Sequence, residues 1–179
     1  MGCYDIKYVF MIVIFRKEVN HVMRLYHASK EIVEFPEIRK TKYTKDFSWG
    51  FYCTNNWEQA VRWANRGGGE PVINCYSYES VDGLSILKFE QMTDEWLDFI
   101  AGCRSGGTHT YDIVEGPMAN DTIWNYVNDY LAGYINRKQF WALAEFRYPT
   151  HQISFHTLSA LNCLIFEGSE IVCDQKGKK

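Results

Sequence analysis

Apolar positions recur along this chain at two periods, and the alternation between them predicts its elements. Leu25-Tyr26-His27-Ala28-Ser29 has strand character and ends in small polar residues. Phe51-Tyr52-Cys53 is a second short apolar run, introduced by Trp49-Gly50. Thr54-Asn55-Asn56 supplies turn and cap chemistry, after which Trp57, Ala60, Val61 and Ala64 fall at i, i+3, i+4 and i+7, one face of a helix. Glycines 67–69 and Pro71 end that helix. Val72 to Glu79 alternates as a strand, and Asp82-Gly83 predicts a hairpin turn into a partner over Leu84 to Phe89.

The second half reads in the same way. Thr93 caps a helix whose apolar face is Trp96, Leu97, Phe99 and Ile100, stopping near Gly102. Arg104 to Thr110 is a surface loop, and Tyr111 to Glu115 is a strand closed by Gly116-Pro117. Asp121 and Asn136 each cap a helix, the first ending at Gly133 and the second before Pro149. Thr150 to His156 predicts a strand and Thr157 caps a short helix through Leu164. Ile165-Phe166, with Ile171-Val172, forms a closing strand. Strands and helices mix without strict βαβ alternation, which favours a single α+β domain. The expected organisation is an N-terminal extension over 1–23, a domain over 24–172 and a polar tail over 173–179. Met23, directly before the first patterned segment, is an alternative functional start.

Composition changes this picture in three places. Aromatic residues make up 16% of the chain, a load that lines concave sites as well as cores. The net charge of −3 provides no general field for nucleic acid or anionic membrane, although Arg39, Lys40, Lys42 and Lys45 form a local basic strip able to meet a single strand. The six cysteines form no CxxC pair and no zinc spacing with histidine, so free buried thiols in a reducing cytoplasm are expected, with no metal. Tyr8 to Phe15 is apolar but too short to span a bilayer, and it lacks a cleavage site. Gly67-Gly68-Gly69 lacks the Gly-Lys-Ser/Thr of a phosphate loop and reads as a cap.

Four segments carry the candidate chemistry: Leu25-Tyr26-His27-Ala28-Ser29, then Asp46-Phe47-Ser48-Trp49-Gly50-Phe51-Tyr52. The others are Gly116-Pro117-Met118-Ala119-Asn120-Asp121 and Gln152-Ile153-Ser154-Phe155-His156-Thr157. Together they resemble an uncharacterised bacterial family assigned to the ADP-ribosyltransferase superfamily. More broadly they resemble the histidine–tyrosine–glutamate branch of that superfamily, the branch of diphtheria toxin and the poly-ADP-ribose polymerases. The resemblance spans Arg24 to Phe166. It implies a split, mixed and antiparallel sheet flanked by helices, with NAD as substrate and an ADP-ribosyl group passed to a protein or nucleic acid. It also implies a toxin or effector held by a small antitoxin-like partner.

By the same resemblance, His27 hydrogen-bonds a ribose hydroxyl, a backbone group at Ala28 or Ser29 grips the nicotinamide amide, and Tyr52 stacks on the ring. Tyr26 or Tyr43 supplies a second ring. Gln152 stands where the broad branch has a glutamate. An amide can bind a hydroxyl but carries no charge against an oxocarbenium-like ribose. Asp112, Glu115 and Asp121 are the candidate replacement carboxylates, and a catalytically silent nucleotide- or partner-binding module is the alternative. Ala28 in place of glycine and the neighbouring Trp49 narrow the approach to the strand.

Overall fold

The computed structural model describes residues 22–40, 45–119, 121–144 and 150–172. Residues 1–21 of the extension expected over 1–23 and the tail over 173–179 lie outside them, as do Tyr43, Arg147 and Pro149. The architecture is α+β, built on two sheets. One is antiparallel in the order β1 (Met23–Ser29), β3 (Val72–Tyr78), β7 (Leu164–Ile171). The other runs β2 (Phe51–Cys53), β6 (Gln152–Phe155), β5 (Ile113–Gly116), β4 (Ile86–Lys88). Its last pair is parallel, so the second sheet is mixed.

The alternation of side chains along each strand sorts them into three apolar clusters. Leu25, Phe51, Tyr76, Ile113, Ile153 and Phe155 meet in the core between the sheets. The opposite face of the second sheet, with Tyr52 and Val114, is covered by α2 (Asp94–Arg104), α3 (Asp121–Leu131) and α4 (Arg137–Leu143) through Trp96, Leu97, Ile100, Ile123, Val127 and Phe140. The opposite face of the first sheet packs Ile73 and Cys75 under Ala60 and Ala64 of α1 (Trp57–Ala64). A four-residue helix, α5 (Leu158–Leu161), leads into β7. No helix among the described residues is long and apolar enough to cross a membrane.

The helix starts follow the expected caps. The side chains of Asn56, Thr93, Asn136 and Thr157 each accept from a backbone N–H in the first turn that follows. Cys53, Cys75, Cys103 and Cys163 are free and buried.

Three expectations fail. The turn at Gly83 forms, with φ of 89°, but no hairpin follows it. β3 is already flanked along its length by β1 and β7, and the chain crosses to the other sheet, where β4 lies parallel to β5. The Asp112 carboxylate accepts from the Ser85 N–H at 2.9 Å and anchors that crossing. The helix expected to stop near Gly102 continues to Arg104. The helix expected through Leu164 ends at Leu161, and the two fragments after it are one continuous strand.

Among the described residues one backbone bridge joins the two sheets. Tyr26 and Thr54 exchange both backbone hydrogen bonds, at 2.8 and 3.0 Å, and beyond this bridge β1 and β2 separate. Gly50, just before β2, is needed for space. A Cβ there would lie 2.9 Å from two ring atoms of His156 and 3.0 Å from the Phe155 carbonyl. Gly50→Ala is therefore expected to destabilise the fold by about 1–3 kcal/mol in denaturant titrations.

Candidate functional site

Beyond the Tyr26–Thr54 bridge the strands diverge around a cavity of about 350 Å³, within the range of small-molecule sites. His27 and Ala28 line it from β1, Tyr52 from β2 and Gln152 from β6. Lys45, Asp46, Arg66 and Arg104 add charge, Met118 and Ala119 close one side, and Trp63 and Trp124 contribute indole surface.

His27 is set by its strand position. It shares a face with Leu25, toward the space between the sheets, and stacks on Phe51 with ring centroids 4.2 Å apart. Its Nδ1 lies 2.7 Å from the Tyr52 carbonyl oxygen. A carbonyl can only accept, so Nδ1 carries the hydrogen and Nε2 of the neutral ring is left as an acceptor. Burial lowers the His27 pKa to about 4, with the nearby Lys45 and Arg39 charges acting in the same direction, so the ring is neutral at physiological pH.

Ala28 follows from ladder geometry. Residues of an antiparallel pair face the partner alternately, and Tyr26 turns its N–H and C=O away from β3 toward Thr54. The N–H and C=O of Ala28, two residues on, point the same way, where β2 has already turned aside.

Tyr52 is buried on the other face of its sheet. Its hydroxyl donates to the Ser48 carbonyl at 2.7 Å and accepts from the Phe47 N–H at 3.1 Å. Burial, with the Asp46 charge second, raises its pKa, so the phenol stays protonated. Ser48 holds φ of 69°, rare for a residue with a side chain, and this tight turn directs its carbonyl at the phenol. The Lys45 ammonium sits 4.5 Å from the centroid of the Tyr52 ring.

Gln152 is 3% exposed. Its Nε2 donates to Asp46 Oδ2 at 3.0 Å and reaches the Pro117 carbonyl at 3.4 Å. Asp46 is the hub of the site. Its Oδ1 takes a hydrogen bond from Arg104 Nε at 3.0 Å and another from the Arg104 Nη2, while the Ala119 N–H reaches Oδ2 at 2.9 Å. The Asp46 and Arg104 side chains are 7% and 6% exposed, so this is a buried ion pair. Arg104 also lies 5.7 Å from the Trp124 ring. The strand end that carries Gln152 is held from outside: Gln59 of α1 accepts from the His151 N–H at 3.1 Å and donates to the His151 carbonyl.

Other expected site residues lie elsewhere. Tyr26 points to the opposite face of β1 and packs edge-on against Trp57 at 5.1 Å. The Ser29 hydroxyl accepts from the Glu31 N–H at 3.3 Å and does not line the cavity. Of the candidate carboxylates, Asp112 is held by Thr157 and Ser85, and Glu115 by His151 and Lys88, all away from the cavity. The Asp121 side chain lies outside the described part. The carboxylate that does line the cavity, Asp46, is not among the expected candidates, and neither are Trp63, Arg66, Arg104 and Trp124. Asp46 stands at the head of a recognised segment, so its position carries a signal, whereas the other four sit on helices or at helix ends, where nothing separates site from surface. Behind Tyr52, Ser154 Oγ is 2.8 Å from His156 Nε2, and His156 Nδ1 donates to the Trp49 carbonyl at 2.8 Å. Burial lowers the His156 pKa to about 4. Among the described residues no cluster of His, Cys, Asp and Glu could hold a metal ion.

Two outcomes are expected. His27 and His156 bind protons more weakly in the folded chain than at the unfolded value of about 6.5. Their contribution to stability is complete above that pH and is lost as the pH falls from about 6.5 toward 4, and equilibrium unfolding at stepped pH should show this loss reduced in His27→Gln. Arg104→Ala leaves Asp46 buried without its cation and should cost about 3–5 kcal/mol. Arg137→Ala removes a half-exposed network with Asp94 and Asp98 and should change stability little by comparison.

No curated protein matches the chain, and no solved structure does. A family model described as a protein of unknown function, DUF3990, matches residues 23–166, from the start of β1 into β7. That span includes every described residue of the cleft, and the chain belongs to the DUF3990 family.

Proposed function

We propose that the cleft binds NAD and that the protein transfers ADP-ribose from it to a macromolecular acceptor, a protein or a nucleic acid. The observation that carries this reading is the convergence of His27, Ala28, Tyr52 and Gln152, from three separate strands, on one cavity. The chemistry around them suits a dinucleotide. Lys45, Arg66 and Arg104 stand against the single carboxylate of Asp46, a balance that favours phosphate. Trp63 and Trp124 offer faces to a base. The neutral His27 presents Nε2 as an acceptor for a sugar hydroxyl, and the outward backbone of Ala28 can pair with a carboxamide.

In the reaction the bond between nicotinamide and its ribose breaks. Nicotinamide leaves with the bonding electrons, and the acceptor's nucleophile attacks the ribose carbon and releases its proton to solvent. An oxocarbenium-like transition state needs positioning and a polar surround more than covalent help. Tyr52 would flank the nicotinamide, with Lys45 moving from the Tyr52 ring toward the pyrophosphate. On this reading the protein is a cytoplasmic transferase of the ADP-ribosyltransferase-like fold, of the kind deployed as a bacterial toxin under the control of an antitoxin.

One observation favours a second reading, nucleotide binding without transfer. Both oxygens of Asp46 are already engaged by Arg104, Ala119 and Gln152, so this carboxylate has little charge left for a cationic transition state. Incubation with NAD labelled on its adenylate half, in the presence of cell extract, separates the two. Transfer predicts label on a macromolecule, reduced by about tenfold or more in His27→Ala and Tyr52→Ala. Calorimetric NAD binding without label transfer supports the silent module. Absence of NAD binding removes both nucleotide readings.

A further inference from the structure

We propose that Asp46 is a positioning residue of the cleft: anchored by Arg104, it fixes the flip of the Gln152 side-chain amide. The Gln152 carbonyl oxygen then faces the cavity as a hydrogen-bond acceptor and selects a ligand that offers a hydroxyl or N–H hydrogen at that point. This rests on the reading of the cavity as the ligand site and specifies what the site demands of its occupant.

The two ends of a glutamine amide have nearly the same shape, so only their neighbours decide which is which. Here both neighbours of the inner end are acceptors, Asp46 Oδ2 at 3.0 Å and the Pro117 carbonyl at 3.4 Å. The flipped amide would put its carbonyl oxygen 3.0 Å from a carboxylate oxygen, a repulsive contact in a buried setting. Asp46 cannot turn to relieve it, because Arg104 holds Oδ1 through two nitrogens and the Ala119 N–H holds Oδ2 at 2.9 Å. Each group in the series therefore fixes the next. No described residue donates to Gln152 Oε1, which belongs to a residue that lines the cavity.

The same contacts make glutamine, and not glutamate, the residue that position 152 accepts. Glutamate would bring two carboxylate oxygens to about 3 Å of one another, and such a pair retains a proton. The charged and titratable groups lining the cavity around it are Lys45, Asp46, Arg66, Arg104, His27 and Tyr52.

The test compares the wild type with Asp46→Asn, Gln152→Glu and the double variant Asp46→Asn/Gln152→Glu. Thermal melting from pH 5 to 8 reads the coupling. The folded Gln152→Glu protein holds a proton that its unfolded chain releases, so it should lose stability relative to wild type as the pH rises. The double variant, in which position 46 no longer sets a carboxylate against the one introduced at position 152, should recover the wild-type profile. A Gln152→Glu profile that parallels wild type would overturn the proposal.

Calorimetric titration with NAD at pH 7.5 reads the consequence. Asp46→Asn frees the amide to flip and should weaken binding about tenfold, whereas the double variant keeps an acceptor facing the cavity and should bind within about threefold of wild type. Unaltered binding by Asp46→Asn would also overturn it. If Asp46→Asn does not fold, the melting series and the double variant decide. If the wild type takes up no NAD, the functional reading falls, and the melting series still decides whether Asp46 sets the state of position 152.

Discussion

A carboxylate taken out of water must be paired and fully hydrogen-bonded, and Asp46 is buried at the centre of this protein's cleft. Each of its partners belongs to a different part of the chain. Arg104 comes from the end of α2, the Ala119 N–H from the segment between β5 and α3, and Gln152 from the start of β6. Satisfying one charge thus fixes the relative positions of three elements that are distant in sequence. The neighbouring contacts extend the same logic. Thr150 Oγ1 accepts from the Met118 N–H and donates to the Met118 carbonyl, while Trp96 Nε1 donates to the Pro117 carbonyl, so the backbone that serves Asp46 and Gln152 is itself held.

The cavity exists because the two sheets meet at one backbone bridge and then part. Leu25 is fully buried where the sheets are close, and His27, two residues further along the same face, reaches the opening. Packing and site are therefore successive positions of one strand. The same division holds on β6, where Ile153 and Phe155 fill the core between the sheets while Gln152 and Ser154 face the side of Tyr52. A period-2 pattern on a short strand thus gives both a core and a polar wall.

Much of this is legible in the residues, because strand alternation and cap chemistry are local. Phe51–Cys53 and Trp57–Ala64 coincide with the expected elements, and four expected cap residues accept as expected. Pairing is not local. Asp82-Gly83 marks a turn, yet the choice between β3 and β5 as the neighbour of β4 depends on which edge remains available, and β3 has none. The site divides in the same way. His27, Tyr52 and Gln152 lie within strands that the residue pattern predicts, and they line the cavity. Tyr26 falls outside it because one step along a strand reverses the face. Residue type and spacing direct the search for a carboxylate to Asp112, Glu115 and Asp121, although burial with a cation singles out Asp46, and burial is a property of the assembled chain.

The polar atoms left facing the cavity set what it can accept from an occupant. The hydrogen of His27 is committed to the Tyr52 carbonyl, and those of Gln152 to Asp46 and Pro117. Each side chain is thereby restricted to accepting, and neither adds negative charge that would repel phosphate. Asp46 has its charge matched by Arg104, and Lys45 adds a cation to the same lining. A ligand rich in both hydroxyl hydrogens and phosphate oxygens meets all of these demands together. With Asp46 in place, a carboxylate at position 152 would meet the first demand while weakening the second and unbalancing the pair beneath it, so the amide follows from the way Asp46 is buried.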